Sequence, residues 1–153
     1  MNIHVNGLSV KGHENTVTIK IRTRSGCFHR EHSPEAYKVI DEVISQMPPN
    51  DICFDLVEHE SGPEIIAMIA FGTAGLTLAK SVVDLITAII KARFEGKKKW
   101  DRSSGELLLI VRDTHRTATS TEEVALEIYD NDIVSSKQVK DAIEKVLNKK
   151  YKK

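Results

Sequence analysis

The sequence predicts an α+β fold: a small mixed or antiparallel sheet of about five strands, a long apolar helix or helical hairpin, and two amphipathic helices. Three observations predict it. The 153 residues are close to the usual size of one domain, roughly 100–150 residues, so residues 1–153 are read as a single unit. Apolar content of 41% and charged content of 29% are those of a chain that buries one core. Segments with strand-like alternation and segments with helical spacing follow one another in the order ββα, β, long α, ββα.

Residues 3–10 and 16–24 read as the first two strands. In the second, Val17, Ile19 and Ile21 alternate with Thr18, Lys20 and Arg22, the period-two pattern of a half-buried strand. The first helix is strongly marked. Ser33 suits the N-cap, Pro34 the first helical position and Glu35 the positive end of the helix. Its apolar stripe is Tyr37, Ile40, Val43, Ile44 and Met47, and Pro48-Pro49 stops it. Ile52 to Val57 reads as a third strand.

Residues 64–94 are read as the long apolar helix. Ile65 to Ala79 carries no charge, yet is shorter than the ~20 residues a membrane span needs. From Leu76 onward the polar residues Thr77, Lys80, Asp84, Thr87 and Lys91 keep to one stripe, and Lys80 and Asp84 stand one turn apart. A continuous helix over this region would be roughly 46 Å long. A break at Gly72-Thr73-Ala74-Gly75 into a hairpin is therefore expected. Leu107 to Val111 and Val124 to Tyr129 read as the last two strands. Ser135 and Gln138 form a capping box for a final helix carrying Val139, Ala142, Ile143, Val146 and Leu147. The basic tail, about 149–153, is expected to fray.

Lys plus Arg equals Asp plus Glu, so no net field directs the chain to nucleic acid or to an anionic membrane. The start shows no secretory signal pattern, and two cysteines are too few for a disulfide framework. A cytoplasmic location with free thiols is expected.

The chemistry-bearing residues are Cys27-x-His29-x-x-His32, with Cys53 and His59 further on. Thiolate and imidazole are zinc ligands, and four of these five could complete a tetrahedral site, although the spacing is not that of a known finger. A Cys–His nucleophile drawn from the same residues has no recognisable oxyanion hole beside it. No cofactor is expected from the sequence, and no phosphate-binding glycine loop or paired-carboxylate pattern is present. Lys97, Lys98, Lys99, Trp100 and Arg102 form a basic patch around an aromatic, suited to phosphate backbones or lipid headgroups.

In order and texture, the strand DICFDLVE, the turn ESGPE, the small-residue break FGTAGL, the helix ending in KARFEGKKK and the hairpin LLLIVRD to VALEIYD resemble the effector-associated constant component modules. Those are small bacterial modules that accompany effector or protease domains in conflict and signalling systems. The likeness covers roughly residues 51–147. It implies a non-catalytic adaptor and supplies no catalytic residues.

The leading functional expectation is thus an interaction or adaptor module that self-associates through Leu78, Val82, Val83, Ile86, Ile89 and Ile90. A helix apolar on nearly all sides needs cover from a second copy or a protein partner. A metal-binding or Cys/His enzyme comes next, then a membrane protein that inserts the apolar helix. Nucleic acid ranks behind these.

Overall fold

The computed structural model describes residues 2–4, 16–48, 54–72, 75–113, 122–129 and 132–151. They form β1 (Asn2–His4), β2 (Thr16–Thr23), α1 (Pro34–Ser45), β3 (Phe54–His59), β4 (Gly62–Gly72), β5 (Gly75–Leu78), α2 (Lys80–Lys98), β6 (Leu107–Asp113), β7 (Glu122–Ile128) and α3 (Ser136–Tyr151). All strand pairs are antiparallel. The order across the sheet is β1-β3-β4-β2-β6-β7, and β5 pairs with the end of β4, where Ile69 stands opposite Leu78. This is the expected α+β class with an antiparallel sheet. Residues 5–10 of the expected first strand lie outside the described residues, as does Cys53.

Register explains the core. Ile19 of β2 lies opposite Ile65 of β4 on one side and Val111 of β6 on the other, and Leu56 of β3 lies opposite Ile65. These four residues share one face, and each is 0–1% exposed. That face joins the buried sides of α1, α2 and α3 in one apolar cluster. Each fully buried aliphatic side chain contributes roughly 1.5–3 kcal/mol.

The expected long helix over 64–94 is corrected. Its first half is the β4–β5 hairpin, and helix begins only at Lys80. Burial along β4 alternates, with Ile65, Ala67 and Ile69 buried and Ile66 and Met68 half-buried, but the half-buried positions are themselves apolar and so make the run continuous. Such a run has the same texture as a buried helix. The turn before β4 is also built for a strand. Gly62 has φ +141, and a Cβ there would overlap the Ile21 carbonyl oxygen of β2. Within α2 the apolar residues are covered by the rest of the chain. Val82, Val83, Leu85, Ile86, Ile89 and Ile90 are 0–6% exposed, while Lys80 pairs with Asp84 at 2.6 Å on the solvent side.

The end of α2 and the start of α1 are built together. The Asp101 N–H bonds the Gly96 carbonyl at 3.0 Å and the Trp100 N–H bonds the Lys97 carbonyl at 3.3 Å. This is a Schellman closure, and Trp100 takes the left-handed position at φ 75 that glycine usually fills. The turn aims the Asp101 carboxylate at α1, where it accepts from the Glu35 and Ala36 N–H groups at 3.0 and 2.9 Å. Ser33 stands at the N-cap position but makes no capping bond; its hydroxyl is buried without a partner among the described residues. Expectation placed the cap on Ser33; Asp101 supplies it instead. At α3 the capping box forms as expected, with Gln138 N–H to Ser135 Oγ at 3.2 Å and Ser135 N–H to Gln138 Oε1 at 2.9 Å.

Candidate metal centre

The loop from Cys27 to His32 links β2 to α1, and its backbone is tied at several points. Ser104 N–H bonds the Cys27 carbonyl at 3.0 Å, and Cys27 N–H bonds Ser104 Oγ at 3.3 Å. Arg102 N–H bonds the His32 carbonyl at 2.7 Å, and Phe28 N–H bonds the Glu60 carbonyl at 3.0 Å. Between these ties the Phe28 side chain is fully buried, and Tyr37 of α1 donates its hydroxyl to the Phe28 carbonyl at 2.7 Å. Burial pushes the Tyr37 phenol up from its ordinary range, so it remains a donor.

Arg30 clamps the outer side. Its guanidinium makes a bidentate pair with Asp41 of α1 at 2.7 and 2.9 Å, and a second with Glu58 of β3 at 3.1 and 2.7 Å. The hydrogen bonds from Asp41, then Glu58, hold its charge still more firmly than usual. The loop is thereby pinned to α1, to β3 and to the connector after α2.

Within this frame Cys27, His29 and His32 converge. One ligand atom from each lies within 4.8 Å of the others, and all three residues are half-buried. Cys27 Sγ is 3.1 Å from His32 Nδ1, a thiol–imidazole contact, and the two histidine rings lie 4.3 Å apart, centre to centre. A tetrahedral zinc ion holds sulfur at about 2.3 Å and nitrogen at about 2.1 Å, which separates those two ligands by about 3.6 Å. Small side-chain rotations would therefore open the cluster to admit an ion. Three of the five residues expected as ligands are brought together. His59 is not gathered with them: it is exposed, contacts Glu64 at 3.1 Å and lines a shallow groove with His29.

The sequence reading missed Arg30, Asp101 and Ser104 as parts of this site. Arg30 lies inside the Cys-His motif, so its place was visible though its partners were not. Asp101 and Ser104 act across some seventy residues of chain, and no local pattern signals them.

The other expected sites stand as follows. The six side chains chosen for self-association, Leu78, Val82, Val83, Ile86, Ile89 and Ile90, are all buried within the chain at 0–6% exposure. Their apolarity is accounted for by the core, so it no longer points to a partner. No helix among the described residues is long and apolar enough to cross a membrane. Lys98, Lys99, Trp100 and Arg102 are exposed at the end of α2, and Lys97 is half-buried beside them. No protein-family model, curated protein or solved structure matches the chain. The resemblance to the effector-associated modules accordingly rests on element order alone.

Proposed function

We propose that the chain is a metal-binding module that holds a divalent ion of the zinc class on Cys27, His29 and His32. The fourth coordination position is left to water or to an exogenous donor. The observation that carries the reading is the convergence of one sulfur and two imidazoles within 4.8 Å, on a loop pinned from three sides. One thiolate and two imidazoles favour zinc, cobalt or copper over magnesium or calcium, which prefer oxygen donors. Three protein ligands with one open position is the arrangement of reactive rather than closed structural zinc sites. A cytoplasmic location suits it, because a reducing compartment keeps the Cys27 thiol free to ligate.

The test uses the full-length protein, stripped with chelator and titrated with cobalt(II). Binding should give one equivalent per chain and a near-ultraviolet thiolate-to-cobalt charge-transfer band, displaced by zinc. Cys27→Ser should abolish that band, and His32→Ala should weaken binding at least tenfold. Uptake that is unchanged in both variants would sink the reading.

A further inference from the structure

We propose that the corner formed by the end of α2 and the segment after β7 is a docking surface for anionic phospholipid membranes, independent of the metal centre. The primary observation is Trp100. It is 91% exposed, it is the only tryptophan in the chain, and among the described residues it is the only non-glycine residue with positive φ. A large apolar ring at a backbone position that favours glycine costs folding free energy, and here it recovers none by packing. Its surface is available to something outside the chain.

The surroundings define what that is. Lys97, Lys98, Lys99 and Arg102 flank the ring, and Asp101 is the only acid from 96 to 105. The Asp101 carboxylate points inward, accepting from the α1 N-terminus, while Lys98 pairs with Glu95 at 3.7 Å, and Lys99 and Arg102 are exposed beside the ring. Two further exposed apolar side chains lie at, or next in the chain to, a groove that Lys97 and Lys98 line. Tyr129 is 54% exposed and lines one groove with Phe94, Lys97, Lys98 and Asp132, and Ile133, next in the chain, is 88% exposed. The Lys98 ammonium lies over the Phe94 ring at 4.5 Å and 3.7 Å from the Glu95 carboxylate.

An indole, a phenol and an aliphatic chain set among lysines match the headgroup layer of a bilayer, where amphipathic rings and cations find both their solvents. Single-stranded nucleic acid would be served by successive stacking rings along a cationic groove. This corner instead offers one exposed indole and the aliphatic Ile133, which suit the acyl–headgroup boundary rather than a run of stacked bases. The contact is peripheral. It differs from insertion of the apolar helix, whose side chains are committed to the core.

Because Trp100 is the sole tryptophan, its emission reports on this corner directly in the unmodified protein. With vesicles of phosphatidylcholine and phosphatidylserine at low salt, emission should shift to the blue and be quenched by brominated lipid. Phosphatidylcholine vesicles alone should give little change, and added salt should reverse the shift. Replacing Lys97, Lys98 and Lys99 together with Gln should lower partitioning to the mixed vesicles by roughly a hundredfold in co-sedimentation. Chelator treatment should leave binding unchanged. An unshifted emission with no co-sedimentation at low salt overturns the proposal. So does binding that survives in the triple-Gln variant carrying Trp100→Ala. Emission quenched by a single-stranded oligonucleotide, with no vesicle effect, would overturn it in favour of nucleic acid.

Discussion

Lys20 is on the sheet face opposite the main core, yet it is only 5% exposed, because β2 has neighbours on both edges and the side chain lies among them. Its ammonium is paired with Glu122 of β7. The hydrogen bond from Lys20 holds the Glu122 carboxyl below the ordinary glutamate value of 4.5. A carboxylate whose folded pKa is depressed contributes stability above its unfolded value, and that contribution is lost as pH falls through the folded value. Stability should therefore decline as pH drops below about 4.5, and Glu122→Gln should flatten that part of the profile in urea titrations across pH. At neutral pH, Glu122→Gln should also lower the melting temperature more than Lys20→Met does. The first variant leaves a buried charge unpaired, whereas the second removes that charge. Equal losses would mean that the Lys20 ammonium reaches solvent once Glu122 no longer pairs with it. The alternation of β2 was legible in the sequence, but its full burial was not, since burial of the second face depends on which strands flank it.

At the scale of elements, the contact between the end of α2 and the start of α1 depends on Asp101 and Gly96. A Cβ on Gly96 would overlap the Asp101 carboxylate and press on the Ala36 nitrogen. Asp101→Ala leaves two N–H groups of α1 without their acceptor and should cost about 1–2 kcal/mol in denaturant unfolding. Ser33→Ala should cost much less, because the Ser33 hydroxyl makes no capping bond. The reverse ranking would restore Ser33 as the cap. From sequence the Ser-Pro-Glu start of α1 was correctly read as a helix start; the source of the cap was not, because the accepting carboxylate is sixty-five residues away. The hairpin β4–β5 was misread for a related reason. Ile65, Ile66 and Ile69 are β-branched and favour strands, and Gly72 and Gly75 mark a turn, but an uncharged run of this length matches a buried helix equally well.

Across the whole molecule, α2 packs against both α1 and α3, and its apolar side belongs to the one core cluster they share with the sheet. Ile86→Ala should therefore cost about 2–5 kcal/mol of folding stability. Its elution volume in light-scattering chromatography, under conditions where it remains folded, should match that of the parent chain. A variant that kept its stability but lost mass would return Ile86 to an interface between copies. The metal loop likewise belongs to the whole fold. Cys27, His29 and His32 are close in sequence, so the candidate was legible there, but spacing alone cannot orient side chains on an irregular loop. The backbone of Ser104, Arg102 and Glu60 and the two carboxylates on Arg30 give that loop its shape.

The sequence by itself determined the α+β class, the amphipathic helices α1 and α3, the alternating strand β2 and the capping box at Ser135. Those depend on interactions within a few residues, where periodicity and hydrogen-bonding preference act directly. Only the tertiary structure decided that residues 62–72 and 75–78 are strands, that the apolar residues of α2 are already covered, that Asp101 caps α1 and that Trp100 faces outward. Each of those is settled by which distant segment lies alongside, and free energy from long-range packing outweighs the small local preferences that a sequence displays.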